Sequence, residues 1–197
     1  MNWEEIRKIH PWLPETSDGW HQHPNGGGWI ENNCTVTDDS KISENSVVYG
    51  FSTVSGGSTV SDKSTVSHLS TVCGGSNIRL YSTISNFSTV SGESTVSGES
   101  TVENHSAVSG GSTVSGESTV ENHSTVSGGS NIRLYSTISN FSTVRNGSTV
   151  SHLSNVKNNS AVTRSIVRSS FISHSVVPDG SDVESSFLRN GNIEKVD

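Results

Sequence analysis

Residues 88–126 read STVSGESTVSGESTVENHSAVSGGSTVSGESTVENHSTV. Val stands at every sixth position of this stretch, and the same frame extends outward to Ile30 on one side and Val162 on the other. It opens Ile30, Val36, Ile42, Val48, Val54, Val60 and closes Val144, Val150, Val156, Val162, which makes 23 consecutive Val or Ile at one spacing. Two positions before each aliphatic residue the side chain is small: Gly28, Cys34, then Ser at every sixth position from Ser40 to Ser160. A period of six fits neither a lone helix, which repeats every ~3.6 residues, nor a lone strand, which repeats every ~2. Each hexad is therefore one edge of a coil in a repeat architecture.

Internal duplication sets the size of the coil. Residues 97–114 recur almost unchanged at 115–132, an offset of 18, and residues 76–90 recur at 130–144, an offset of 54. Both offsets are whole multiples of three hexads. The expected fold is all-β: a single parallel β-helix, triangular in section, with 18 residues per coil. The expected organisation is 1–28 as a cap helix and a Gly/Pro/His turn, 29–163 as the hexad helix, and 164–197 as five-residue edges and the C-terminal end. Past Val162 the aliphatic positions become Val167, Ile172, Val177, Val183, Leu188 and Ile193, for 29 edges or nearly ten coils. At ~4.8 Å per coil the prism is roughly 45 Å long.

Composition bounds the function. Only 29% of the 197 residues are hydrophobic, a value that ordinarily points to disorder, and 16% are charged. A solenoid tolerates so low an apolar content, because it is stabilised by stacking many weak units. The net charge of −7 argues against nucleic acid as a general partner. Charge is unevenly spread. Residues 122–178 carry no acidic side chain and five basic ones, Arg133, Arg145, Lys157, Arg164 and Arg168, whereas the tail 179–197 is acidic, five against two. Such a block is a solvated surface, an anion-facing segment or a self-complementary one. Cys34 and Cys73 fall two coils apart, so no disulfide is expected, and two free thiols with no signal-peptide layout suggest a cytoplasmic protein. No apolar run is long enough to span a membrane.

The N-terminal flank has helix chemistry. Asn2 and Glu5 form a capping-box pattern, Trp3, Ile6, Ile9 and Leu13 recur at helical spacing, and Pro11 and Pro14 end the segment. This helix is expected to close the open end of the solenoid. His10, His21 and His23 lie near one another in sequence without the supporting carboxylate or Cys that a metal site would use.

The run of [Ile/Val]-x-x-x-Ser-x units resembles the hexapeptide repeats of left-handed parallel β-helix proteins, over roughly residues 28–193. The resemblance implies left-handed coils, with the aliphatic and the small residue pointing inward and the residues beside the aliphatic pointing outward. It also implies three function classes: trimeric acyltransferases, γ-class carbonic anhydrases and non-catalytic arrays. The acyltransferases place a catalytic His near an insertion between coils, and here no insertion interrupts Ile30–Val162. The carbonic anhydrases hold zinc on three His. Here His105 and His123 stack on adjacent coils beside Glu103 and Glu121, a weak metal-ligand candidate that the 18-residue duplication alone would produce.

Sorted by threes, the hexads form different faces. The face centred on Val36, Val54, Val72, Val90, Val108, Val126 and Val144 carries Thr53, Ser55, Thr71, Thr89, Ser91, Ser109, Thr125 and Ser127 outward, with no charge before Arg145. This grid resembles the ice-binding faces of β-helical antifreeze proteins. One corner stacks Asn86, Asn104, Asn122, Asn140 and Asn158, then Phe87, His105, His123 and Phe141, an amide ladder beside a ring ladder. A second corner stacks Gly56, Gly74, Gly92, Gly110 and Gly128. In the C-terminal coils the outward residues become Ile166, Phe171, Val176 and Phe187, an apolar exterior that suggests an oligomer or partner contact first, then cover by the chain's own N-terminal segment or simple exposure. The expected function is a non-enzymatic structural or binding solenoid, without cofactor, that self-associates through its C-terminal coils. Ice binding is the first alternative, and a hexapeptide acyltransferase or carbonic-anhydrase-like enzyme the second.

Overall fold

The computed structural model describes residues 1–195, and the side chains of residues 1–191. The chain is an all-β parallel solenoid, triangular in section, with one short helix. In the order in which the chain visits them, its three sheets have 12, 9 and 9 strands. Strands pair in parallel at an offset of 18 residues, as in Thr83↔Thr101 and Ile84↔Val102 on the first sheet, Thr89↔Ala107 on the second and Asn77↔Thr95 on the third. The interior is a single aliphatic column bundle, with Val48 through Ile172 at 0% or 1% exposure.

Corners between edges use the left-handed backbone region. From Gly50–Phe51 to Asn158–Asn159, corner residues come in pairs with φ near +60°, including Leu80–Tyr81, Asn104–His105 and Asn122–His123. The N–H of the second corner residue donates to the first corner carbonyl of the preceding coil, as in His105 N to Asn86 O at 2.8 Å and Glu117 N to Gly98 O at 2.7 Å. Gly, Asn and Asp adopt this conformation at least cost. The amide ladder forms: Asn86 Nδ2 donates to Asn104 Oδ1 at 3.1 Å, Asn104 to Asn122 at 3.3 Å, and Asn140 to Asn158 at 3.3 Å. After Val162 the corner shrinks to a single such residue at Arg164, Ser169, His174 and Ser185, and this is how the period falls from six to five; the corner at 178–180, with Gly180 left-handed, keeps six from Val177 to Val183.

The inward Ser is more than a small filler. Its backbone N–H donates to the Oγ of the Ser one coil earlier: Ser106 N to Ser88 Oγ, Ser124 N to Ser106 Oγ and Ser136 N to Ser118 Oγ, each at 3.1 Å and buried. In Ser58, Ser76, Ser130 and Ser136 the same hydroxyl donates to the carbonyl three residues earlier at 2.8 Å. Where it accepts, the Ser hydroxyl satisfies a backbone N–H at the point where the chain leaves a corner and no strand partner is available, whereas Ser76, Ser130 and Ser136 use theirs as donors and the buried Ser82 hydroxyl has no partner.

Both ends depart from expectation. The helix, Trp3–Ile9, has its capping box, with Glu5 N to Asn2 Oδ1 and Asn2 N to Glu5 Oε2 both at 2.9 Å. It does not close the open end. Ile6 and Leu13 pack against Val47, with Trp3, Trp20, Trp29 and Tyr49 around them, so the helix lies on the outer side of the first sheet. The reason is local: at outward positions where later coils carry Thr or Ser, the first two strands carry Trp29, Val47 and Tyr49. The Gly/Pro/His turn does the closing. Trp20–Gln22 pairs antiparallel with Trp29–Glu31 and covers the first edge of the first sheet. Residues 25–28 cover the third sheet, with Ile42 N donating to Asn25 O at 3.1 Å and Gly28 N to Ile42 O at 2.9 Å.

In the first coil, the corners 32–33, 38–39 and 44–45 lack the left-handed pair and close as local turns. There Asn33 and Asn45 side chains accept the corner N–H groups of Phe51 and Lys63, replacing the carbonyls of a preceding coil. At the far end the expected edge at Ile193 is instead a return strand. Asn192–Lys195 runs antiparallel to Ser186–Arg189, with Arg189 opposite Asn192. The two residues between them, Asn190 and Gly191, have φ of 50° and 80°, and Asn-Gly is the dipeptide that two-residue hairpins favour. The solenoid therefore has about nine turns rather than nearly ten.

Candidate functional site

The structure aligns the predicted Thr/Ser grid in register. Thr53, Thr71, Thr89, Thr125 and Thr143 occupy one register position on the second sheet, with Ala107 in the same row. Ser55, Ser91, Ser109 and Ser127 form the partner row, and both rows are half-buried. The sheet is bordered by the glycine corner on one side. Its first charged side chain after the opening coil is Arg145, whose Nε donates to Thr163 Oγ1 at 3.2 Å.

The His and Glu candidates stack without converging. His105 and His123 lie face to face at 4.8 Å and 4° between planes, with Phe87 and Phe141 stacked outside them at 4.8 and 4.9 Å. Glu103 and Glu121 stand on the adjoining sheet. Burial raises the Glu121 carboxyl above its ordinary range, and the neighbouring Glu103 charge raises it further. A carboxyl raised in the folded state loses stability as pH climbs through its titration, so the pair is an electrostatic cost at neutral pH. Among the described residues, no three His, Cys, Asp or Glu side chains are grouped around one point. His10, His21 and His23 go separate ways, to Asn45 O, Asn32 Oδ1 and Asn25 O. Both cysteines are free and half-buried, and burial pushes the Cys34 thiol up to about 11 against the pull of the Ser52 and Phe51 N–H groups.

The four apolar residues of the C-terminal coils do not form one patch. Ile166 is on the third sheet at 38% exposure and Val176 on the second at 67%. Phe171 and Phe187 stack on the first sheet at 4.5 Å, with Lys157 Nζ 4.4 Å from the Phe171 centroid, so they partly cover each other. The basic block meets the acidic tail of its own chain. Arg164 pairs with Asp179, and Arg168 reaches Asp182 at 2.8 Å and Glu184 at 3.4 Å. Five-residue edges bring these charges together one coil apart.

Sequence reasoning placed the exposed apolar surface in the C-terminal coils, whereas much of it stands on the corners. Phe51, Leu69, Phe87 and Phe141 are 65%, 51%, 52% and 61% exposed along the same corner as the stacked His. Leu80, Tyr81, Leu134, Tyr135 and Leu153 crown another. The signal was available, because corner positions are fixed by the hexad frame and point away from the core. No helix among the described residues is long and apolar enough to cross a membrane. A scan of protein-family models found no match to the chain, and neither did a search of curated proteins.

Proposed function

We propose that the chain is a non-enzymatic structural solenoid, of the left-handed hexapeptide-repeat type, that presents flat faces to a partner and self-associates through its C-terminal coils. The observation that carries this reading is the uninterrupted stacking of coils from Trp29 to Val177: each edge continues the one before it, and no inserted loop brings polar side chains together. The six-residue edge with paired left-handed corner residues supports the family assignment. For self-association, Val176 and Ile166 offer apolar surface on two faces, and Val176 adjoins Ala161, one coil past Arg145, at the end of the Thr/Ser sheet. Size-exclusion chromatography with light scattering is expected to find more than one chain per particle. Val176→Asp, or Phe171→Ser with Phe187→Ser, is expected to lower that number. A monomer that neither change affects would end the self-association reading.

Ice binding by the second sheet is a second reading. It is favoured by the one-to-one alignment of Thr53, Thr71, Thr89 and Thr125 on a sheet where they meet no charge. Thermal hysteresis is expected in the wild type and should be abolished by Thr89→Lys. Its absence in the wild type removes this reading.

A further inference from the structure

The helix and the turn after it cover only the first two strands of the first sheet, and beyond them the sheet continues bare. The step between the two is a groove. Its wall is Trp12, 49% exposed and packed on Tyr49 at 4.5 Å between ring centroids. Its floor is Thr65 and Thr83, paired in register, with the buried Ser67 and Ser85 beside them and the Ser67 hydroxyl bonded to His68 Nδ1 at 3.0 Å, and one end is closed by His68 and Asn86. This part encloses about 250 Å³ and no side chain that lines it is a carboxylate or an ammonium. Thr65 also lines an adjoining hollow of about 370 Å³, to which Lys8 and Lys63 contribute.

Several observations narrow the occupant. Leu13, not Trp12, supplies the buried anchor of this segment, and the indole, held between Tyr49 at 4.5 Å and an edge contact with His10 at 5.7 Å, keeps about half of its surface open to a ligand. The floor strands are paired on both sides within the sheet, so no backbone edge is open to an extended peptide. What remains is an aromatic plane, hydroxyls repeating at the ~4.8 Å coil spacing, an amide and, next door, two ammonium groups. His10 adds no charge there: its Nε2 is bonded to Asn45 O at 3.0 Å, and burial holds it below its ordinary range. Lys63 is fixed by Tyr81, whose hydroxyl accepts from its Nζ at 2.8 Å.

We propose that this groove binds an acidic glycan, with one pyranose ring stacked on Trp12 over the Thr65–Thr83 floor and a neighbouring carboxylate-bearing sugar at Lys8 and Lys63. The site rests on the step between helix and sheet and is independent of self-association, so its failure leaves the scaffold reading standing.

A glycan array probed with the fluorescently labelled full chain tests it. Binding is expected on glycans carrying uronic or sialic acid. It should weaken at least tenfold in Trp12→Ala and in Thr83→Glu, which fills and charges the floor without touching the helix, and it should weaken also in Lys63→Gln. Far-UV circular dichroism establishes that each variant is folded. A wild type that binds no glycan, or binding that Trp12→Ala and Thr83→Glu leave unchanged, overturns the site. Binding confined to neutral glycans and indifferent to Lys63→Gln overturns the assignment of an acidic sugar.

Discussion

Replacing Ser88, Ser106 and Ser124 together with Ala is expected to destabilise the solenoid by about 3–9 kcal/mol, at about 1–3 kcal/mol for each buried donor left without an acceptor. The three hydroxyls accept from Ser106 N, Ser124 N and Ser142 N at 3.1, 3.1 and 3.2 Å, and all three N–H groups are buried. Ala keeps the volume small, so if these positions only needed a small side chain the triple variant would be silent. The matched control is Ser91, Ser109 and Ser127 to Ala, outward positions on the same three edges, for which a change within about 0.5 kcal/mol per site is expected. Urea unfolding followed by circular dichroism separates the two. Equal midpoints for the inward and outward triples would show that the Ser column contributes volume alone.

The role of this column also marks the limit of what could be read from residues. The hexad frame identifies which side chains point inward, because a period of six with one aliphatic per edge leaves no other way to bury them. It identifies the faces as well, because 18 residues return the chain to the same sheet, as the Thr83↔Thr101 register bears out. Whether the inward Ser fills space or accepts a hydrogen bond depends on where the next coil directs its N–H. That is a property of the two left-handed corner residues before it, and no single hexad displays it. The pairing of Arg168 with Asp182 and Glu184 was hidden for a similar reason: the two charge blocks look separate along the chain and meet only once five-residue edges set the offset.

Other misses had a signal. Trp29, Val47 and Tyr49 break the Thr/Ser habit of outward positions, and together they mark the surface on which the helix docks. Asn190-Gly191 is a hairpin signal, outweighed in the sequence by the continued aliphatic spacing to Ile193. The candidate groove was the least legible feature. It exists because a helix stops partway across a sheet, and neither Trp12 nor Thr65 and Thr83 differ in sequence from ordinary loop and repeat residues. A solenoid face is repetitive by construction, so its distinctive places are where something ends: the helix over the second strand, the hexads at Val162, the first coil at its open edge.

That open edge is the basis of the second large effect. Gly28→Val is expected to detach the closing turn and turn a well-behaved chain into one that aggregates end to end. Gly28 is buried, and a Cβ placed there would lie 2.4 Å from Ile42 Cγ2 and 2.5 Å from the Ser43 carbonyl oxygen, distances that the backbone cannot relieve without moving. Its N–H bond to Ile42 O and the neighbouring Ile42 N bond to Asn25 O are the pairing that covers the first strand of the third sheet. Losing them exposes an unpaired strand edge above a column of Val and Ile, the surface that β proteins most need to cover. Gly19→Ala is the control. Gly19, unlike Gly28, has a left-handed φ, of 82°, and nothing lies within 4 Å of its Cβ position, so only the backbone cost of about 1 kcal/mol is expected. Light scattering during storage, with amide hydrogen exchange at Ile42, reads the outcome. Protection of the Ile42 amide unchanged in Gly28→Val would show that the turn is not what closes the solenoid, and the burden would fall on the antiparallel Trp20–Gln22 strand instead.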